Sequence, residues 1–550
     1  MKSTLYALFL AILFLQADII NAQSIKTTGL KEKIDALIPE AINDTTPGLV
    51  IGIVHEGELI FKKAYGKANL AYGLDNDSKM VYNIGSVSKQ FLGYAFAMLE
   101  VDGSLDLDNP VSKYLDDWPE FDHEVTLRHV LTHTSGYREA YTLSNLAGRI
   151  VGVDHLSREE CLNVVRKQPE LEFTPGSRFT YNSTAWVILA EVFEKVKGES
   201  AEDWLVSNVL RPLGMNDTHI ETHVGEVIPN AAESYYLNDE NSYVNAESNR
   251  AIFGAAEVYS SIEDLAKWVN NYKTAEIGGK KVRDLFVDPF TLNNGRDAQY
   301  GLGIFSGNYR GLKRIQHGGS HEAFLSFISY YPDQDLGIIT ITNFGGKGWT
   351  SESDIADILL GEFISSEPKK MAKGKKSKKK KLEQFTGLYL VSDKNRKLDF
   401  SVEDDSLTIN GRTKLVPIDK NRFRNKSGDN TYSFELSDDG SARLTEKTSR
   451  VDYIYDRIEP WESGAEGLKD YVGDYWSTEL ETVYHLTIEE DAMRVEHRWL
   501  GEIGLQPLSK DIFRSEWGQY VEFLRDEKGL VTGLSINTGR TLNVRFDKMD

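Results

Sequence analysis

Cysteine is almost absent from this chain of 550 residues, and basic residues are too few to balance the acidic ones. Cys161 is the single cysteine, so no disulfide can form within the chain, and we expect its thiol to pack as a small apolar group. The formal net charge is -21, with 63 basic against 84 acidic residues, which makes nucleic acid a poor partner. His317 and His321 have no evident third ligand, so we expect no metal site and no cofactor.

Long hydrophobic runs are also missing after the first few residues. The apolar stretch at 5–15 follows Lys2 and is followed by Ile-Asn-Ala22; it is short for a membrane span and ends in a small residue. Residues 1–22 therefore predict a signal peptide and a secreted or periplasmic protein. No cysteine follows this stretch, which excludes a lipoprotein anchor, and no second apolar run is long enough to span a membrane.

The length suggests two to four domains, and the composition changes at a lysine-rich block covering 368–381. Such a block of like charges cannot pack and predicts a solvated linker. Beyond it the pattern changes to short alternating strands, and residues 382–389 (LEQFTGLY) match 468–475 (LKDYVGDY), 86 residues further on. Two small antiparallel β-barrels, at 382–460 and 461–550, are expected because closure removes exposed strand edges.

Ser86 and Lys89 place a hydroxyl and an amine one turn apart in a segment of helical composition. A serine is a weak nucleophile unless a neighbouring base takes its proton. The positive end of the helix dipole and desolvation in a closed pocket would both favour the neutral amine of Lys89. The same helix start leaves the Ser86 N–H available to a developing oxyanion.

Two further motifs lie downstream, Tyr181-Asn182-Ser183 and His317-Gly318-Gly319. With all three in this order, the chain resembles the serine β-lactamase and penicillin-binding-protein family from about residue 47 to 363. That group includes class C β-lactamases, DD-peptidases, D-aminopeptidases and related esterases. The resemblance implies an α/β fold, a β-lactamase/DD-peptidase-like α/β sandwich with a helical subdomain over 23–367. In D-aminopeptidase-like members, lipocalin-like barrels follow it.

The resemblance also assigns roles. Ser86 is the nucleophile, and Lys89 or Tyr181 is the base; the sequence leaves these two alternatives open. The Ser320 N–H is the second oxyanion donor, and Gly319 lets the substrate backbone approach closely.

Ser183 and His317 complete the substrate-binding set, and both depart from the family pattern. The family usually has Asn at the position of Ser183, and the adjacent Asn182 either compensates or faces away. β-Lactamases generally have Lys at the position of His317. An imidazole with a reference pKa of about 6.5 is mostly neutral at pH 7, which argues against efficient β-lactamase activity. As the pH falls towards 6, the imidazole of His317 should gain a proton and bind substrate carboxylates more strongly.

The local patterns predict where the main elements lie. Residues 49–65 read as a hairpin turning at Glu56-Gly57, and 322–330 as a strand whose partner contains 317–320. Helices are expected at 86–99, 183–197 and 353–363. His133 is expected to brace a turn between a helix and a loop.

Together these features predict an exported serine hydrolase that forms an acyl-enzyme on Ser86. The expected substrates are small molecules or short peptides, with amide bonds in small peptides or D-amino-acid derivatives first. The alternatives are a carboxylesterase or weak β-lactamase, and a non-hydrolysing sensor or ligand-binding protein. Intact Ser86, Lys89 and Tyr181 favour the enzyme. The barrels are either passive or overhang the active site with a loop, as D-aminopeptidases suggest. No oligomeric state follows from the sequence.

Overall fold

An antiparallel sheet of six strands lies at the centre of the first half of the chain. A computed structural model describes residues 25, 27–364, 379–425, 430–462 and 464–549. The predicted signal peptide and most of the predicted lysine-rich linker lie outside these residues.

The strands of the first half are β1 Leu49–His55, β2 Glu58–Tyr65, β3 Lys67–Asn69, β4 Leu74–Asp75, β5 Tyr82–Asn83, β6 His219–Ile220, β7 Tyr235–Leu237, β8 Tyr243–Asn245, β9 Val258–Ser260, β10 Phe305–Tyr309, β11 Leu312–His321, β12 Phe324–Tyr331 and β13 Leu336–Thr342. Its helices are α1 Leu30–Asp35, α2 Lys89–Asp102, α3 Leu127–Leu131, α4 Ala140–Leu146, α5 Arg158–Arg166, α6 Thr184–Lys197, α7 Ala201–Leu205, α8 Ile262–Thr274, α9 Gly279–Val287 and α10 Glu352–Leu360.

The main sheet has the order β10-β11-β12-β13-β1-β2, with all pairs antiparallel. Its central strands β1 and β13 are almost wholly buried, because helices cover both faces. Alternate residues of β1 point to opposite cores: Val50 packs with α8, whereas Ile51 packs with α1 and α10. The predicted α/β sandwich is therefore confirmed, as are the hairpin at 49–65 and the strand that follows the third motif.

A helical layer built on α2 and α6 covers one end of this sheet. Both helices are largely buried along their length. α2 ends at Gly103 and α6 at Gly198, and each glycine has the left-handed backbone that commonly terminates a helix. Packing of α6 on α2, α3 and α5 forms the predicted helical subdomain and fixes the two helix starts that carry the first and second motifs.

Two barrel-like sheets make up the second half, as the repeat predicted. The first comprises α11 Lys379–Leu382, β14 Gly387–Val391, β15 Lys397–Glu403, β16 Ser406–Ile409, β17 Thr413–Lys414, β18 Val416–Pro417, β19 Arg422–Arg424, β20 Thr431–Leu436, β21 Ala442–Lys447 and β22 Asp452–Ile458. The second comprises α12 Ala465–Leu468, β23 Gly473–Ser477, β24 Thr482–Glu489, β25 Ala492–His497, β26 Gly501–Ser509, β27 Ile512–Ser515, β28 Tyr520–Arg525, β29 Val531–Asn537 and β30 Val544–Lys548.

The second of these sheets is a closed barrel of eight strands, and the first is nearly closed. In the first sheet the two edge strands, β17 and β18, are separated in the chain only by Leu415, so the nine strands curl almost into a ring. The boundaries predicted for these domains stay predictions. None of the helices in the described ranges is long and apolar enough to cross a membrane.

Both barrels dock on the first half of the chain. Leu143 and Leu146 of α4 pack inside the apolar core of the second barrel, and the Tyr484 hydroxyl donates to the Leu146 carbonyl at 2.7 Å. The first barrel is held at the start of β22, where Asp452 makes a two-point ion pair with Arg296 at 2.7 and 2.9 Å. The barrels therefore occupy fixed positions beside the helix starts of the first and second motifs.

Candidate active site

Ser86 lies where a strand backbone meets the start of a helix. A 3-10 turn, Gly85–Ser88, leads directly into α2, and Asn83 Oδ1 accepts the Gly85 N–H at 2.8 Å. Gly85 has φ 52°, and a Cβ atom there would lie 2.5 Å from the Ser320 nitrogen. Glycine is thus required both by the left-handed backbone and by the contact, and it brings β11 next to Ser86.

Lys89 is buried directly behind Ser86. Its Nζ lies 3.2 Å from Ser86 Oγ and donates to the Ala255 carbonyl at 2.5 Å, while the residue is 0% exposed. Among the described residues no carboxylate lies within 4.0 Å of this amine to hold its charge. The pKa of Lys89 is lowered to about 7, chiefly by burial; the charge of Arg540 acts in the same direction, whereas that of Glu139 opposes it. A large share of Lys89 is therefore a free amine at pH 7.

The Ala255 carbonyl is held in place by an unusual loop. A Cβ atom at Gly254 would lie 2.2 Å from the Trp186 carbonyl oxygen, so the loop is in backbone contact with α6. Glu257, two residues on, is fully buried with a φ of 78°, a conformation that non-glycine residues rarely adopt. Such strain persists only where surrounding packing fixes the backbone, and here it fixes the acceptor of Lys89.

Tyr181 approaches from the start of α6. Lys89 Nζ lies 5.2 Å from its ring centroid, and the imidazole of His133 stacks on the same ring with centroids 4.1 Å apart. The Tyr181 hydroxyl is buried beside Ser86, but no hydrogen bond of normal geometry joins it to the described residues. Burial raises the pKa of Tyr181, and the Ser86 hydroxyl and Arg540 offset this only in part. The geometry therefore favours Lys89 as the proton acceptor and a protonated Tyr181 beside it.

His317 is buried on the other side of this pocket and is neutral. Its Nδ1 lies 2.7 Å from the Gly318 carbonyl oxygen, which can only accept, so Nδ1 carries the proton and Nε2 accepts from Tyr300 at 3.1 Å. Burial, together with the charge of Lys89, lowers the pKa of His317 to about 3. The expectation that this imidazole gains a proton near pH 6 is wrong, because the sequence did not reveal how deeply it is buried.

Gly319 and Ser320 hold the strand against the nucleophile's turn. A Cβ atom at Gly319 would lie 1.9 Å from the Ile84 carbonyl oxygen, which also accepts from the Ser326 hydroxyl at 2.7 Å. Within the part of the chain described by the structure, the Ser86 N–H has no acceptor. This N–H and the adjacent Ser320 backbone are placed to receive a carbonyl oxygen whose carbon is attacked by Ser86.

The two residues after Tyr181 behave differently. Asn182 faces away from the pocket: its amide donates to the Tyr137 carbonyl at 2.6 Å and accepts from the Ala185 N–H at 2.9 Å. Of the two alternatives for Asn182, the structure supports the second. Ser183 is buried at the N-cap of α6 and makes no capping bond with its hydroxyl. It stays a candidate for substrate contact.

Three contributions to the pocket were not predicted from the sequence. His133 braces the expected turn, with φ 58° and Nδ1 accepting the Asn182 N–H at 3.0 Å, but it also orients Tyr181 by stacking. The Ala255 carbonyl is a main-chain group with no side-chain signature. Arg540, from the second barrel, places its guanidinium 5.4 Å from the Tyr181 ring centroid. Of the two alternatives for the barrels, a passive attachment or a loop over the active site, this contact supports the second.

The arrangement suits acyl transfer without a metal ion in the donor set. It combines a hydroxyl, an amine within hydrogen-bonding reach, a phenol and the Ser86 N–H around one position, with the Ser320 backbone next to them. In the ranges that the structure covers, no cluster of three His, Cys, Asp or Glu side chains is arranged to hold a metal ion.

Comparisons with known proteins agree with this geometry. A family model described as Beta-lactamase matches residues 34–362. A D-aminopeptidase of Brucella ovis is 23% identical over 527 residues, covering 92% of this chain and 96% of the relative. The octameric penicillin-binding protein homologue from Pyrococcus abyssi has a TM-score of 0.53 at 23% identity, over 78% of this chain and 98% of its own. The D-stereospecific amidohydrolase from Streptomyces sp. has a TM-score of 0.51 at 20% identity, over 61% and 98%. The shared fold confirms the predicted β-lactamase/DD-peptidase-like sandwich.

Proposed function

The chain belongs to the Beta-lactamase family and is a serine hydrolase, and from this premise we propose that it hydrolyses amide bonds of small peptides or D-amino-acid derivatives. The observation that carries this proposal is the free amine of Lys89 at 3.2 Å from Ser86 Oγ. An ester can release its alcohol unaided, but an amide nitrogen must be protonated as it leaves. A lysine that is half neutral near pH 7 can take a proton and return it in one cycle.

The proposed cycle has two halves. Lys89 takes the Ser86 proton as Oγ attacks the carbonyl carbon, and the N–H groups of Ser86 and Ser320 hold the oxyanion. The proton passes to the leaving nitrogen, directly or through the Tyr181 hydroxyl, and the C–N bond breaks to leave an ester on Ser86. Water then gives a proton to Lys89 and attacks this ester, releasing the acid and restoring the Ser86 hydroxyl.

Several observations support the amide over the alternatives. The relatives named D-aminopeptidase and D-stereospecific amidohydrolase act, by their names, on amide bonds next to D-residues, and the first aligns over 92% of this chain. The neutral His317 gives little charge-assisted grip on a β-lactam carboxylate, so β-lactams should be poor substrates. Residues 1–22 support export, which we propose with the activity.

A panel of chromogenic substrates tests the proposal. The protein from residue 23 to 550 is assayed with N-acetyl-D- and N-acetyl-L-alanine p-nitroanilide, p-nitrophenyl acetate and a chromogenic cephalosporin. We expect the D-anilide to be cleaved and Ser86→Ala to abolish cleavage, while Ser104→Ala, at an exposed position just beyond the far end of the same helix, leaves it unchanged. Turnover of the ester alone would indicate the carboxylesterase, and stable acylation of Ser86 without turnover would indicate the sensor.

A further inference from the structure

Two arginines of the barrels reach the pocket without an ion-pair partner. Most arginines at the barrel contacts are paired with a carboxylate within 4.0 Å; these are Arg138, Arg178, Arg296 and Arg545. Arg540 and Arg450 differ, since neither has a carboxylate at that distance in the described ranges. A guanidinium that lies beside the aromatic rings of the pocket, with no carboxylate at that distance, is free to bind a ligand of opposite charge.

Each barrel presents its arginine on a turn of the same type. In the last hairpin of the second barrel, the Thr538 hydroxyl accepts the N–H of Arg540 at 3.2 Å and of Thr541 at 2.9 Å. In the last hairpin of the first, the Thr448 hydroxyl accepts the N–H of Arg450 at 3.3 Å and of Val451 at 3.1 Å. Each hydroxyl also donates to the carbonyl at the fourth position of its turn. The repeat therefore carries a Thr-x-Arg turn in both copies.

The two guanidinium groups differ in what they contact. Arg450 lies over the rings of Phe179 and Phe305, at 4.6 and 5.3 Å, and is half-buried there. It therefore belongs to the aromatic wall of the pocket. Arg540 is exposed, lies over Tyr181 and also lines an open cleft of about 270 Å³ between α4 and the second barrel. Of the two, Arg540 is the one a substrate can reach.

The position of Arg540 is fixed by the main chain that follows it. The buried guanidinium of Arg138 donates to the carbonyl of Leu542 and, at 3.2 Å, to that of Asn543. The ion pair of Arg138 with Glu479 holds the same barrel at 2.8 Å. Arg540 thus sits on a turn anchored to the first half of the chain, and its charge is felt at Lys89.

We propose that Arg540 is a specificity residue that binds a carboxylate of the substrate, so that the preferred substrates are amides carrying a negative charge. This inference rests on the proposed amide hydrolysis and narrows its substrate class. The other cationic candidates do not serve: His317 is neutral, and Lys89 must be neutral to act as a base. The carboxylate of Glu139 is buried and caps α4, so it offers no exposed partner to a substrate ammonium.

Binding to a protein that cannot turn over tests this inference apart from catalysis. Calorimetry with Ser86→Ala compares N-succinyl-D-alaninamide with its neutral succinamoyl analogue, and D-alanyl-D-alanine with its C-terminal amide. In at least one pair, we expect the compound that has the additional carboxylate to bind about tenfold more tightly, as for a charge-assisted hydrogen bond at an accessible site. Adding Arg540→Gln should remove the difference. Adding Arg545→Gln, which deletes the same charge from the same barrel, should leave it intact.

Kinetics at pH 9 give a second measure, because Lys89 is then mostly neutral with or without Arg540. The ratio of kcat/KM for N-succinyl- against N-acetyl-D-alanine p-nitroanilide should fall about tenfold in Arg540→Gln and recover in part in Arg540→Lys. Equal binding within both pairs, or a preference that survives Arg540→Gln, would overturn the inference. Preferential binding by Ser86→Ala without amide hydrolysis by the wild type would refute the proposed function and leave the carboxylate site standing.

Discussion

The ionisation of Lys89 gives the pocket a measurable signature in its pH–rate profile. An amine at its ordinary pKa of 10.5 would be neutral in only about one molecule in 3,000 at pH 7, whereas near a pKa of about 7 half the molecules carry the free base. If Lys89 accepts the Ser86 proton, kcat/KM should rise tenfold for each pH unit below 7 and level off above it. A Tyr181 phenolate, whose pKa lies above its ordinary 10, would instead give a rate that still rises at pH 10.

Replacing Tyr181 with Phe separates the two possibilities. The Phe ring keeps the stacking on His133 and removes only the hydroxyl. With Lys89 as base, kcat/KM should fall by roughly 10²–10⁴-fold, as is usual for a group that helps proton transfer, while the bend near pH 7 remains. Lys89→Ala should remove the bend as well, and the double variant should lose less than the product of the two single losses, because the two groups move the same proton.

The assay is kcat/KM for an uncharged D-amide between pH 5 and 10.5, with folding checked at both ends of the range. The reasoning would be refuted by a wild-type bend near pH 10, or by a Tyr181→Phe variant with no bend at all. If the loss of kcat/KM in the double variant equals the product of the two single losses, the model in which Lys89 and Tyr181 move the same proton is rejected. The positive charge of Arg540 lowers the pKa of Lys89, so Arg540→Gln should move the bend to higher pH.

Two further outcomes follow from packing and burial. Gly319→Ala would put a Cβ atom 1.9 Å from the Ile84 carbonyl oxygen and should abolish labelling of Ser86 by a fluorophosphonate. The control is Gly307→Ala in the neighbouring strand, where the nearest atom to the new Cβ is the Gln299 side-chain oxygen at 4.0 Å, and labelling should persist. Lys89→Met should raise the free energy of unfolding by up to about 5 kcal/mol at pH 7, and this gain should shrink towards pH 10. Between these pH values the lysine is largely protonated in the unfolded wild type but not in the folded one, so the wild type becomes more stable as the pH rises. Chemical unfolding at both pH values measures this, with Lys280→Met, at an exposed position, as the unchanged control.

Most of the fold could be predicted from the sequence because its signals are local. The hairpin at 49–65 is marked by apolar strands around Glu56-Gly57, both with positive φ, and the barrels are marked by alternation and by an 86-residue repeat. The Ser86 and Lys89 pairing is local as well, since a helix brings residues three apart onto one face.

The features that could not be predicted depend on contacts between distant segments. The direction of Asn182 is set by carbonyls of a loop more than 40 residues away, which its own neighbours in the chain do not reveal. The neutral state of His317 depends on burial under Tyr300. The contact of Arg540 with Tyr181 exists only because the second barrel docks on α4.

The Thr-x-Arg turn was visible in both halves of the repeat, yet an arginine on a hairpin turn ordinarily belongs to a solvated surface. Because the second barrel docks on the first half of the chain, Arg540 lies beside the active site instead. The contacts that hold its turn do not depend on which side chain is at this position. Arg138 binds the carbonyls of Leu542 and Asn543, which are main-chain groups, so the turn keeps its place whatever side chain stands at position 540. Ser86 and Lys89 are in turn fixed by α2 and β11, which this side chain does not support. The charge preference for substrates can therefore change by substitution at one barrel residue while the acyl-transfer groups stay in register.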